Sequence, residues 1–328
     1  MFGKFMNSYF YGKSGKGDYT REDLPRTRSQ LFWETLRTRF SGLARLNLLY
    51  MLAWVPAMLV IAYSVLTLYS AMVGITQLQA EVDAGTLAVA DFAAQQAMYT
   101  EAVKAIVLRG LLLLVPCLAL TGPFTAGLSL ITRNWARDEH AFMFSDFKDA
   151  VRENWKQALA TSAITGFVPL VVYVCWMFYG ELAQTNSLML IPQVLSLTLG
   201  CVWMMMLLYA YPLMVTYRLR YRDILRNSLL LTIGRLPGTL AIKLLSCVPV
   251  LLAVVVSYLT PYLQWAVIAV MLYYAVVGFA LSRFGGASYT NAVFDRYINV
   301  NIEGATVNRG LYHDDADDDD DADDSAAR

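Results

Sequence analysis

Charge is scarce in this chain. Charged residues make up 16% of its 328 residues, whereas soluble domains carry roughly 25%. Because 57% of the residues are hydrophobic, so few charges could not give a globule of this size a polar surface. This shortage argues against a water-soluble fold and indicates that lipid is the solvent.

The residues that usually carry chemistry are also scarce. The two histidines, His140 and His313, lie far apart, and neither has a cysteine nearby to complete a metal site. The Gly-Lys pair in 12–17 lacks the spacing of a phosphate-binding loop. We therefore predict a non-enzymatic protein with no cofactor and no nucleic-acid partner. All four cysteines fall in apolar stretches, which predicts free core thiols rather than disulfides: Cys117, Cys175, Cys201 and Cys247.

Long runs without any charge predict the membrane spans. One crossing needs roughly 20 residues, and a charge at mid-bilayer is costly. The run 244–282 is too long for one crossing and is divided at Pro261, since proline cannot continue a helix cheaply. The sequence thus predicts an all-α, polytopic membrane protein with six transmembrane helices, at 48–74, 108–131, 158–180, 189–217, 238–259 and 262–283.

Lysine and arginine predict the orientation of these spans. Residues 1–47 carry nine of them, 132–157 five and 218–237 five, whereas 75–107 carry only Lys104. Positive residues favour the cytoplasmic side of a membrane. We therefore expect a multi-pass protein with both termini in the cytoplasm.

A short amphipathic pattern precedes each span that runs outward from the cytoplasmic side. An aromatic residue is followed by an acid at the second position, an apolar residue at the fourth and arginine at the fifth. This spacing predicts a helix with one apolar face. The pattern predicts three two-span units, each introduced by a cytoplasmic interfacial helix. The three copies begin at Phe32, Phe147 and Tyr221, and each next span holds a Val-Pro step, at Pro56, Pro169 and Pro249.

The chain divides into four predicted segments. A cytoplasmic N-terminal segment spans 1–30, the membrane domain 31–287, and a cytoplasmic C-terminal segment 288–312. Residues 313–328 form an acidic tail that holds nine of the 26 acids. Like charges repel and no large apolar residue is present, so we expect this tail to be disordered.

Two regions carry a resemblance to a known family. The first runs from Thr121-Gly122-Pro123-Phe124-Thr125 through Asn134-Trp135-Ala136-Arg137-Asp138 to Asn154-Trp155-Lys156, and the second covers 290–299 and 308–311. Across 31–312 the chain resembles the YesL-like family of bacterial integral membrane proteins. The resemblance implies a place in the bacterial plasma membrane and an association with carbohydrate uptake, and it names no biochemical activity. The acidic tail and the 75–107 segment depart from the family pattern.

The charged segment 132–157 is the first candidate site. We interpret it either as a charge-paired loop that leads into a helix, or as a surface that contacts a partner or the membrane. A metal or acid–base site is the weaker interpretation, since His140 stands alone. The candidate contact residues are Arg133, Asn134, Trp135, His140, Phe144, Phe147 and Trp155.

An intramembrane break is the second candidate. Glycine and proline in 122–127 leave backbone groups without helical hydrogen bonds. These groups either line a substrate cavity or bond to nearby hydroxyls. On the third span, Ala158, Ser162 and Gly166 form a ladder of small residues that predicts close helix packing. The candidate cavity residues are Thr121, Pro123, Thr125, Tyr273 and Tyr274.

These observations lead to one functional hypothesis and one alternative. The chain is predicted to be accessory to, or a component of, carbohydrate-linked solute uptake, with the lipid bilayer and permease subunits or further copies of itself as partners. The alternative is a self-sufficient transporter or channel for a neutral solute. No acid lies within a span, which argues against ion coupling by an intramembrane carboxylate.

Overall fold

A computed structural model describes residues 24–85, 89–259 and 263–312, and within these ranges the chain is helical without a strand. The predicted acidic tail and the Gly-Lys pair lie outside them. Eight α-helices follow one another: α1 (Arg28–Asp83), α2 (Val89–Trp135), α3 (Met143–Ala183), α4 (Leu190–Thr216), α5 (Tyr221–Gly234), α6 (Leu236–Leu259), α7 (Leu263–Tyr273) and α8 (Phe279–Tyr297). A 3₁₀ turn precedes α4, another follows α8, and a π-helical turn (Tyr274–Gly278) joins α7 to α8.

Six helical stretches among the described residues are long and apolar enough to cross a membrane. Few of their side chains are buried within the protein, because large aliphatic residues such as Leu59, Leu199 and Leu245 face outward. An outward apolar surface of this extent is stable in lipid and not in water. The stretches are Arg28–Asp83, Asp91–Trp135, Met143–Ala183, Ser187–Thr216, Leu236–Val256 and Ile268–Asn301.

The first three helices are longer than a bilayer is thick. α1 has 56 residues, which gives about 84 Å at 1.5 Å per residue against a hydrocarbon core of about 30 Å. The segment 75–107, treated above as a loop, is therefore largely a helical hairpin that joins α1 to α2. Its charges, such as Glu81 and Glu101, keep it out of lipid but do not prevent a helix.

The predicted interfacial segments differ from one another in the structure. Residues 143–157 continue into the third span as the single helix α3, while residues 28–38 are set off from the first span by a break at Arg39 (φ −107°, ψ 16°). Only the third copy forms a separate helix, α5. It ends at Gly234, because the next residue, Arg235, has non-helical dihedral angles (φ −125°, ψ 32°). The start of α1 is fixed by a capping box, in which Thr27 and Gln30 bond reciprocally.

The helices α2 and α3 pack at the centre of the fold, where small residues let their backbones meet. A Cβ on Gly122 would stand 2.2 Å from the carbonyl oxygen of Ala158, and one on Gly166 would stand 3.0 Å from the backbone of Val115. The hydroxyl of Ser162 crosses the same contact and donates to the carbonyl of Ala119 at 2.7 Å. The small-residue ladder of α3 therefore lies where the two helices approach most closely.

A buried asparagine supports the π-helical turn between α7 and α8. The Nδ2 of Asn47, on α1, donates to the carbonyls of Tyr274 (2.9 Å) and Ala275 (2.8 Å), and its Oδ1 accepts from the amide of Ala280 (3.0 Å). A π turn leaves backbone groups without their usual helical partners, which is costly in lipid. Asn47 thus holds the last membrane segment against the first.

Candidate functional site

Ion pairs gather at the end of the bundle where α2 ends and α3 begins. Arg137 and Arg133 both donate to the carboxylate of Glu139, over 2.9 Å and 3.1 Å. Arg137 also lies 3.5 Å from the carboxylate of Asp295, on α8. The interpretation of a charge-paired loop describes this geometry, although the pairing is largely buried rather than exposed, since Arg137 and Asp295 are almost enclosed.

Asp295 joins the two ends of the described chain. Its carboxylate pairs with Arg28 at the start of α1, and it accepts hydrogen bonds from the Asn299 side chain (2.5 Å) and the Asn308 amide (3.1 Å). Arg28 also donates to the Asn308 side chain at 2.9 Å. We call these residues the Asp295 network: Arg28, Arg133, Arg137, Glu139, Asp295, Asn299 and Asn308.

The C-terminal segment 299–312 is held in place by this network. Asn308 adopts a left-handed conformation (φ 58°), and Gly310 (φ 85°) passes so close to the carbonyl of Arg137 that a Cβ there would stand 2.8 Å away. The amide of Tyr312 then donates to the carbonyl of Pro25 at 3.0 Å. These contacts make the segment part of the folded domain, which the sequence pattern did not indicate.

The residues predicted for the contact surface separate into two groups. Trp135 and Phe147 are packed in the hydrophobic core, and Arg133 and Asn134 are partly buried, with a hydrogen bond between their side chains. His140, Phe144 and Trp155 are exposed, and the His140 ring contacts the exposed ring of Phe142 in a tilted arrangement with the centroids 4.6 Å apart. The exposed group, named the aromatic patch, consists of His140, Phe142, Phe144 and Trp155.

A metal-binding or acid–base interpretation of this loop finds no support in its geometry. Within the described ranges, no three residues of the histidine, cysteine, aspartate and glutamate types meet in a way that could hold a metal ion. The carboxylates of Glu139 and Asp295 are instead engaged by arginines.

Thr121 and Thr125, two of the predicted intramembrane cavity residues, form a closed polar seam with Tyr50. Thr121 and Thr125 donate to carbonyls of their own helix, at Leu118 and Thr121, over 2.8 Å each. The hydroxyls of Thr125 and Tyr50 meet at 2.9 Å in a buried contact. Pro123 has no N–H to donate to the carbonyl of Ala119, and that carbonyl accepts instead from the hydroxyl of Ser162 on α3 at 2.7 Å.

Tyr273 and Tyr274 lie at the junction of α7 and the π-helical turn, away from Thr121. Their rings contact each other edge to face, and Tyr274 also packs against Phe279, which contacts Tyr50. The two tyrosines are thus linked to the seam through aromatic packing. An open groove of about 440 Å³ lies elsewhere, between α2 and α3 near Lys104, Tyr173 and Glu181.

Two cations inside the membrane region were not singled out as a site by the sequence. Arg283, on α8, donates to the carbonyl of Leu207 at 3.3 Å, and its guanidinium lies over the Tyr211 ring, 5.0 Å from the centroid. Lys243, on α6, is partly buried. In sequence both residues stand at span ends, which is where snorkelling lysines and arginines are ordinarily found.

The fold and these sites define a multi-pass helical membrane protein. Residues 43–176 match a family described as "Protein of unknown function, DUF624". The matched region covers the membrane part of α1, all of α2 and most of α3, including the loop of the Asp295 network that carries Arg137 and Glu139. Comparison with curated proteins and with solved structures yields no match.

Proposed function

We propose that this chain is a bacterial plasma-membrane protein of the YesL-like type, accessory to or part of a carbohydrate-linked uptake system. The observation that carries the proposal is the aromatic patch, which combines exposed rings with a rigid support. Phe142 and Phe144 are exposed by more than two thirds, directly beside a loop fixed by buried ion pairs. Exposed aromatic residues on a rigid scaffold are typical of protein interfaces.

The bonding of the polar groups in the seam also favours an accessory role over a transporter. The hydroxyls of the polar seam bond to backbone carbonyls and to one another, which leaves them occupied. A self-sufficient transporter for a neutral solute needs free polar groups along its path. That alternative therefore requires the seam to open, with Tyr50 released from Thr125.

The proposed topology places both termini in the cytoplasm and builds the domain from three two-span units. Its support is the position of the prolines: Pro56 in α1, Pro169 in α3 and Pro249 in α6 each lie inside the first helix of a unit. In α5, Leu229, Leu230 and Ile233 are exposed while Arg222 and Arg226 are available to headgroups. We place α5 in the membrane interface on this basis.

A double substitution tests the docking role of the aromatic patch. We expect Phe144→Ala with Trp155→Ala to abolish co-purification of solute-permease subunits in a mild detergent, because truncating an aromatic hot spot of an interface costs about 2 kcal/mol or more, roughly thirtyfold in affinity. Cellular uptake of sugar, measured over a panel of labelled carbohydrates, should fall together with the loss of co-purification.

The matched control is Phe178→Ala, which truncates an equally exposed aromatic residue on the membrane part of α3. It should retain both the permease and the uptake. Recovery of permease subunits by the double variant at the wild-type level would refute the docking role. Flux of a neutral sugar into vesicles that contain this protein alone would support the transporter instead.

A further inference from the structure

Four exposed arginines lie in and after the turn between α4 and α5, at the end of the bundle that carries the Asp295 network. Positions 218–226 hold these four arginines and one acid, Asp223, which leaves three net positive charges. Among the described residues no carboxylate pairs with any of the four, whereas Arg39, Arg137 and Arg309 each have such a partner. We call them the arginine surface: Arg218, Arg220, Arg222 and Arg226.

The local backbone directs these side chains outward. The turn 217–220 is extended at both ends (Tyr217 φ −122°, ψ 142°; Arg220 φ −68°, ψ 149°), so successive side chains point to opposite sides. Leu219 packs against the hydrophobic core, and its two arginine neighbours therefore face away from the core. The two arginines of α5 are four positions apart, which places them on one face of the helix.

The exposed face of α5 changes character along its length. Leu229 and Ile233 follow Arg222 and Arg226 at steps of three and four, and all four residues are exposed. The first half of this face is therefore charged and the second half apolar. Lipid suits the apolar half, while the charged half suits an anion without large apolar groups.

A series of hydrogen bonds connects the C-terminal segment to the arginine surface. The amide of Asn308 donates to the carboxylate of Asp295 at 3.1 Å, and the side chain of Asn299 donates to the same carboxylate at 2.5 Å. The hydroxyl of Tyr217 then donates to the side chain of Asn299 at 2.6 Å. Because Tyr217 directly precedes Arg218, the segment runs beside the first arginine of the surface.

The acidic tail begins directly after this segment. Four residues separate Asn308 from Tyr312, a span of at most about 14 Å. The five consecutive aspartates, 317–321, follow Tyr312 by five to nine residues, which allows a reach of up to about 17 Å at the first and about 30 Å at the last. The tail carries nine aspartates and no apolar residue larger than alanine. Its reach and its composition both match the arginine surface.

We propose that the acidic tail docks on the arginine surface, with the aspartates of 317–321 paired to its guanidinium groups. Arginine presents forked donors that fit a carboxylate. An exposed ion pair contributes little alone, but several at close spacing act as a network. The bound tail keeps anionic headgroups away from the first turns of α5, so the chain carries its own competitor for the membrane surface.

Cleavage of the tail by endoproteinase Asp-N, which cuts before aspartate, tests the docking. The full chain in an uncharged detergent is compared with a free peptide of residues 313–328. At about 50 mM salt the tail of the full chain should be cut more slowly than the peptide. The two rates should converge at 1 M salt, where the screening length is about 3 Å. Arg222→Gln with Arg226→Gln should speed tail cleavage roughly fivefold, because two exposed ion pairs are lost.

The matched control is Lys148→Gln with Arg152→Gln, which removes two exposed cations at the same spacing on α3 and should leave cleavage slow. Nanodiscs of phosphatidylglycerol should speed cleavage relative to phosphatidylcholine, since anionic headgroups compete for the arginines. Full-chain cleavage as fast as that of the peptide, equal rates for wild type and the arginine variant, or protection that persists at 1 M salt would overturn the docking. Equal rates in the two lipids would overturn the competition with headgroups.

Discussion

Gly122→Leu is expected to separate α2 from α3 and to leave little folded protein. Any Cβ at this position would stand 2.2 Å from the carbonyl oxygen of Ala158 and 2.1 Å from the hydroxyl of Ser162. A backbone carbonyl cannot move aside as a flexible side chain can, so the whole helix must shift. Overpacking of this kind costs about 3 kcal/mol or more.

The measurement is the yield of monodisperse protein in mild detergent, together with its melting temperature. Gly285→Ala provides the control, since a Cβ there meets no atom within 4 Å and alanine is the better helix former by up to about 1 kcal/mol. The control should be as stable as the wild type or more so. A Gly122→Leu protein that melts like the wild type would show that the close contact between α2 and α3 is absent.

Asp295→Ala is expected to produce the second large effect, by breaking the Asp295 network. Arg28 and the nearly enclosed Arg137 would both lose Asp295, although Arg137 would keep its pair with Glu139. Removing one partner of a buried ion pair costs about 3–5 kcal/mol, and the lower end applies here because Arg28 is 23% exposed. The loss should lower the melting temperature and release the C-terminal segment.

Limited proteolysis reports on that release directly. In the Asp295→Ala protein, cleavage within 299–312 should become rapid before the membrane helices are attacked, because Asn299 and Asn308 bond to the same carboxylate. Glu303→Gln alters an exposed acid in the same segment and should leave cleavage slow. If both variants are cut at the wild-type rate, the network does not hold the segment.

The membrane helices could be predicted because the signal is local. Each span is a run without charge, and the insertion cost of a charge at mid-bilayer makes such runs informative over about 20 residues. The six predicted spans fall in helical stretches of the structure, apart from Tyr217, the last residue of the fourth, which is extended, and Tyr262, the first of the sixth, which lies outside the described ranges. Helix ends were less predictable, since α1 and α2 continue through charged residues beyond the predicted spans.

The Asp295 network could not be predicted because its partners are far apart in sequence. Arg28 and Asp295 are separated by 267 positions, and the local pattern around each resembles an ordinary solvated helix end. The same holds for Asn47, whose role depends on a π-helical turn more than 200 residues away. Trp135 and Phe147 were assigned to a contact surface for a related reason, because an amphipathic pattern does not reveal which face meets the core.

Reporter fusions along the chain provide the most direct measurement of the membrane arrangement. Fusions after Gly85, Thr185 and position 260 should give extracytoplasmic activity, while fusions after Glu139 and Leu219 should give cytoplasmic activity. This alternation requires one membrane crossing between each successive pair of fusion points, four in all, as the proposed arrangement of six spans in lipid demands. Cytoplasmic activity from all five fusions, with the intact chain monodisperse in buffer without detergent, would contradict it.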